Sequence, residues 1–201
     1  MNHKVQNVQK LYDDSMNLYN KVVRETADSI IDNLKSGIST LKNTWEGKDA
    51  GVQIQNVIEV CNAMIVLRNA LCQLAQNASG IAANYRSIQN ANRANLEVLT
   101  PIKYEESAPM ENYTDLRDTI NISQEAMSGK NKIDAANNSI DGFISSVRRS
   151  CDDIMNNWQI GTGREEANEA FGEFLSKSNK YKQTLNSVSS SITDALKNYS
   201  M

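Results

Sequence analysis

The chain has 201 residues, of which 40% are hydrophobic and 22% charged. That balance fits a folded globular protein and excludes a disordered one. Net charge is −3, from 21 basic and 24 acidic residues without a basic block, which argues against a nucleic-acid partner.

The first predicted element is a helix over residues 5–42. Its apolar positions are Val5, Val8, Tyr12, Met16, Tyr19, Val23, Ala27, Ile30, Leu34, Ile38, Leu41 and Trp45. Steps of three and four exclude a strand and keep the stripe nearly straight along the rod. Gly37 is a mild weak point inside it. The stripe ends at Asn43-Thr44-Trp45-Glu46-Gly47-Lys48-Asp49, which reads as the corner of a helical hairpin. Gly47 supplies the backbone freedom that a helix end demands, and Asp49 suits the electropositive start of the next helix.

The second helix is predicted over residues 50–96. One seam holds Val57, Val60, Met64, Leu67, Leu71, Leu74, Ala78, Ile81, Tyr85 and Ile88; a flanking row adds Ile54, Ile58, Cys61, Ile65, Cys72, Ala75 and Ala82. So wide an apolar face demands a further layer of helices. The next stretch contains the chain's only prolines, Pro101 and Pro109, and reads as a linker. A short helix is expected over residues 115–127, capped by Thr114 and ended or kinked at Ser128-Gly129-Lys130.

The third long helix is predicted over residues 133–156, with Ile133, Ala136, Ile140, Ile144, Val147, Cys151, Ile154 and Trp158 in line. A second corner follows at Asn157-Trp158-Gln159-Ile160-Gly161-Thr162. The fourth helix, over residues 164–199, carries Phe171, Phe174, Leu175, Tyr181, Leu185, Val188, Ile192, Ala195, Leu196 and Tyr199. The expected fold is all-α: two long antiparallel helical hairpins forming a four-helix bundle. The hairpins occupy residues 1–96 and 131–201, with residues 97–130 between them.

The two halves align. Upstream of the corners the offset is 113, placing Ile30 on Phe143, Leu34 on Val147, Leu41 on Ile154 and Trp45 on Trp158. Downstream it is 114, placing Gly47 on Gly161, Val60 on Phe174, Leu71 on Leu185 and Tyr85 on Tyr199. One residue inserted in the second corner accounts for the change, and the coincident Trp, Gly and Tyr mark an internal repeat.

Trp45-Glu46-Gly47 between two long helices resembles the WXG family, the ESAT-like (early-secreted-antigen-like) proteins of type VII secretion systems. With two hairpins in one chain, the protein is similar to a WXG dimer fused into a monomer. The resemblance implies a secreted substrate, or an escort, that binds a helical partner protein or secreted toxin. It also implies that Trp45, Glu46, Gly47, Trp158 and Gly161 form corner motifs that a secretion ATPase could read. The family's export tail, a Tyr followed four residues later by an acid, is absent: Gln89 stands at that spacing after Tyr85, and only Ser200 and Met201 follow Tyr199. Export in company with a partner is therefore expected. The partner is expected along Val5, Val8, Tyr12, Met16 and Tyr19, which precede the aligned region and find no mate in the second hairpin.

No conventional signal peptide is read in the polar start, and the longest apolar run covers only residues 63–67. The expected location is outside the cell without a cleaved signal, or the cytoplasm before export. The same residues carry no enzyme signature. His3 is the only His, so the Glu-x-x-His pairs of a di-metal bundle cannot form. Asp152-Asp153 and Glu165-Glu166 read as solvated helix faces, the latter pair in a first turn that favours acids. No catalytic residues, cofactor, metal or small-molecule substrate are expected. Cys61, Cys72 and Cys151 read as small buried hydrophobes. The competing reading is a membrane-interacting structural helical bundle, which would need a basic polar face.

Overall fold

The computed structural model describes residues 4–92, 94–160 and 163–199. The fold is mostly helical. The first helical rod runs as α1 (Val8–Asn17), a π-helical segment (Leu18–Ala27) and α2 (Asp28–Thr44). Then come α3 (Lys48–Ala91), α4 (Ala126–Asn157) and α5 (Glu165–Tyr199). Among the described residues four very short strands accompany them: β1 (Lys4–Val5), β2 (Trp45–Glu46), β3 (Asn121–Ile122) and β4 (Trp158–Ile160). By length and composition α3 could cross a membrane, yet 61% of its most apolar window is buried inside the protein.

The chain divides into two compact units, each taking pieces from both halves of the sequence. The first comprises Met1–Ala27, Leu67–Ser107 and Gly142–Glu173; the second comprises Asp28–Val66, Ala108–Asp141 and Phe174–Met201.

In the first unit, the core includes Leu11, Leu18, Val22, Leu71, Leu74, Phe143, Val147, Ile154 and Trp158, all buried. The buried stripe of α1 is displaced by one residue from the predicted line. Leu11, Ser15, Leu18 and Val22 face inward, while Tyr12, Met16 and Tyr19 are half-buried beside them. The π segment is the cause. Its wider turn holds more residues than an α-turn, so Val22 and Val23 are both buried and the stripe resumes one residue later.

In the second unit, Ile30, Leu34, Ile38, Leu41, Ile54, Val57, Ile58, Ile133, Ala136, Leu185 and Val188 form the core. α4 and α5 run antiparallel, held by Asp134–Ser189, Asn137–Asn186 and Asp141–Lys182 contacts. Gly37 and Gly129 let α2 and α4 approach closely. A Cβ added at Gly37 would lie 3.0 Å from the Gly129 carbonyl oxygen, and one at Gly129 would lie 3.1 Å from Leu41 Cδ2.

Three expectations are corrected. Gly129 does not end a helix, because its missing side chain makes room for Leu41 and α4 continues through it. The short helix over residues 115–127 is absent: residues 115–120 are irregular, 121–122 form β3 and the helix starts at Ala126. Asp115 and Arg117 are pinned to the first corner instead, by Gly47 N–H on the Asp115 carboxylate and Lys48 N–H on the Arg117 carbonyl, which holds this stretch out of helical geometry. The second helix ends at Ala91, not at residue 96.

Candidate functional site: two tryptophan corners and a fastened strap

The first corner lies in the second unit. Trp45 is 3% exposed. Its backbone pairs with Ile122, and Glu46 pairs with Asn121, in an antiparallel bridge. Ser123 N–H then donates to the Thr44 carbonyl at 2.9 Å. Gly47 has φ +116°, a conformation that side-chain-bearing residues rarely adopt. A Cβ there would stand 2.5 Å from the Thr119 carbonyl oxygen.

Charge closes this corner. The Asp115 carboxylate accepts from Gly47 N–H at 2.9 Å and from Arg117 N–H at 3.0 Å. The Arg117 guanidinium binds the same carboxylate at 2.7 Å and Glu46 at 2.7 Å. The Arg117 guanidinium, followed by the two backbone donors, holds the Asp115 carboxyl well below its ordinary pKa. So the predicted motif residues do meet. Trp45 is buried at the end of α2, Gly47 turns the chain, and Glu46 ties Arg117 to it.

The second corner lies in the first unit and has the same kernel. Trp158 is fully buried. β4 pairs antiparallel with β1, matching Lys4 with Ile160 and Val5 with Trp158. Gln6 N–H donates to the Asn157 carbonyl at 3.0 Å. In both corners, then, the residue just after a leading strand donates to the carbonyl just before the Trp. Gly161 falls outside the described residues. Asn157 Nδ2 donates to Asp14 Oδ2 at 2.9 Å, linking this corner to α1.

Sequence reading missed how the stretch after α3 is held. In the first unit, residues 96–107 form an extended strap whose main chain is bound by side chains of two walls. From α3, Asn90 grips Leu96 at both ends, with its Oδ1 accepting from Leu96 N–H (2.6 Å) and its Nδ2 donating to the Leu96 carbonyl (2.9 Å). Arg86 donates to the Glu97 carbonyl (2.9 Å), and Ser79 Oγ accepts from Ile102 N–H (2.9 Å). Arg68 donates to the Glu105 carbonyl (2.7 Å), and Asn69 grips Ser107 at both ends (3.0 Å each). From the first rod, Tyr12 donates to the Thr100 carbonyl at 2.9 Å and Tyr19 to the Lys103 carbonyl at 3.3 Å. Within the second unit, Asn62 grips Met110 in the same two-ended way, and Gln55 accepts from Tyr113 N–H.

Gln55, Asn62, Asn69 and Asn90 lie at whole multiples of seven residues from one another, so they fall along one side of α3. That spacing is the signal in the sequence. It is a row of amides along one side of the helix, each able to offer a donor and an acceptor to one extended residue.

Of the residues expected to meet a partner, Val5, Val8, Tyr12, Met16 and Tyr19 are all half-buried. Tyr12 and Tyr19 already carry the strap, and Val5 pairs with Trp158, so the expectation that this strip finds no mate in the second half of the chain is corrected. Asp152, Glu165 and Glu166 are exposed. All three cysteines are buried thiols; burial pushes the Cys61 thiol up to about 11 and the Cys151 thiol up to about 12.

Comparison of the chain with protein-family models, with curated proteins and with solved structures gave no match in any of the three.

Proposed function

We propose that this chain is a non-enzymatic type VII secretion protein, a substrate or an escort, in which two WXG-like hairpins are fused. In this reading the hairpins pack as one four-helix bundle and the protein is a monomer that carries its own partner. It acts by binding a second protein, a toxin or a secretion component, and leaves the cell in that company. Val5, Val8, Tyr12, Met16 and Tyr19 are the proposed contact strip.

The single observation that carries the reading is the likeness of the two corners. Each buries a Trp at a hairpin turn, and each is bridged by the strand that leads into the other hairpin. Two WXG-like proteins paired across one another would need that reciprocity, and a fused pair would keep it. A buried Trp supports an anchoring role first; recognition by an ATPase would use the surface that the anchor shapes.

The test is export from a Gram-positive host with a type VII apparatus. The chain should reach the medium when the secretion ATPase and a toxin partner are present, and remain inside when either gene is deleted. Val8→Ser with Met16→Gln should lower export while leaving the circular dichroism spectrum unchanged. Undiminished release without the ATPase would contradict the proposal.

A further inference from the structure

We infer that the channel between α1 and the Leu67–Ala91 part of α3 is a binding site for an extended peptide, held in cis by the chain's own strap and open to an extended segment of a partner protein. The inference stands on the first unit alone and does not depend on the export reading. Its basis is the kind of contact made. Asn90, Arg86, Ser79, Arg68, Asn69, Tyr12 and Tyr19 all address main-chain N–H or C=O groups of residues 96–107. Groups of this kind exist in every peptide, so the walls recognise extended backbone without demanding a sequence, as a sheet edge does when it accepts an added strand.

The side-chain contribution of the strap is small. Leu99 and Ile102 are the buried apolar residues among 96–107, while Val98 is 79% exposed and Leu96 is 43% exposed. The bonds to Asn90, Tyr12 and Tyr19 lie near solvent, where a segment opens first, while those to Arg68, Asn69, Ser79 and Arg86 are partly or fully buried. The walls, in contrast, are built to remain in place. Arg86 is 7% exposed, and its second amino group is fixed by Gln9 Oε1 at 2.7 Å. Ser79 is fully buried and aimed at Ile102 N–H. With the strap lifted, the Arg86 donor to Glu97 and the Ser79 oxygen that accepts from Ile102 would lose their partners, which is costly unless another peptide replaces them. An incoming extended peptide with apolar residues three apart, as Leu99 and Ile102 are, would restore every bond.

The probe is a fluorescent peptide of residues 96–107, titrated into the full-length chain and into its Leu99→Asp/Ile102→Asp variant. That variant loosens the strap and leaves the walls intact. The tethered strap competes at an effective concentration of about millimolar. The variant should therefore bind the peptide at least about tenfold more tightly than the unmodified chain. Adding Asn69→Ala and Ser79→Ala to the variant, or methylating the peptide nitrogens of Ile102 and Ser107, should weaken binding by a further factor of about ten. Amide exchange of Ile102 and Ser107 in the unmodified chain should be much faster than that of Leu71 and Leu74 in α3. A folded variant that ignores the peptide would overturn the inference, as would equal binding of the methylated peptide. A variant that pairs with a second copy in place of the peptide, or strap amides as protected as α3, would overturn it as well.

Discussion

The two Trp corners share a kernel and differ in everything around it. Both bury the indole, both accept a short antiparallel strand, and both receive a backbone hydrogen bond at the carbonyl preceding the Trp. Around Trp45 a carboxylate–guanidinium cluster then closes the turn, with Gly47 in a conformation reserved for glycine. Around Trp158, among the described residues, Asn157 donates to Asp14, which Lys10 also binds, and Arg164 donates to the Gln159 carbonyl. The difference teaches which parts the architecture requires. Apolar anchoring and strand bridging are common to both corners. Among the described residues the carboxylate–guanidinium cluster is found at the first corner, so its removal tests local closure there apart from the fold.

Removing the anchors should have the largest effect. Trp45→Ala and Trp158→Ala should each cost about 3–5 kcal/mol in denaturant unfolding, the range for a fully buried aromatic. Trp158, with no exposed surface, should sit at the upper end. A loss below about 1 kcal/mol at either would show that its corner does not rest on the indole.

Gly47→Ala is expected next, at roughly 1–3 kcal/mol, because the left-handed backbone is strained by any side chain. The new methyl also meets the rigid Thr119 carbonyl. Gly163→Ala, near the second corner, has φ +96° but meets the amide of the Asn77 side chain, which can swing aside. It should cost less than Gly47→Ala in the same assay. The reverse order would break the comparison.

The charge cluster predicts a pH dependence. The folded-state pKa of Asp115 is depressed. Its stabilisation is therefore fully present above the unfolded carboxyl value of about 4, and is lost as pH falls from there toward the folded value. Asp115→Asn should flatten the acid limb of the stability curve between about pH 4 and pH 2. An unchanged acid limb would mean that the cluster adds nothing to closure.

The smallest expected effect is chemical. Cys61 and Cys151, buried in different units with raised thiol pKa values, should react with a thiol reagent at pH 7.5 much more slowly than in denaturant. Rapid labelling of one alone would identify its unit as the more open.

Much of this was legible in the sequence. The helices, the corners and the alignment of Leu34 with Val147 and of Leu41 with Ile154 follow from apolar spacing, and all four residues are buried. The line through Tyr12, Met16 and Tyr19 was off by one residue because a π segment changes the residues per turn without an apolar signature of its own. The strap was read as a free linker because proline and acidic residues mark irregular backbone equally well in packed and unpacked chains. What fastens it, Asn69 and Asn90 among others, was overlooked because polar residues on a helix are ordinarily assigned to solvent. The strand bridges escaped because two residues are too few to show a period of two.

The central claim is that each corner is closed by the leading strand of the other hairpin within one chain. Light scattering after size exclusion, over a hundredfold range of concentration, tests it most directly. The account predicts the mass of a single chain throughout. A mass of two chains that persists on dilution would point to hairpins exchanged between copies or to an additional exposed face, and would contradict it.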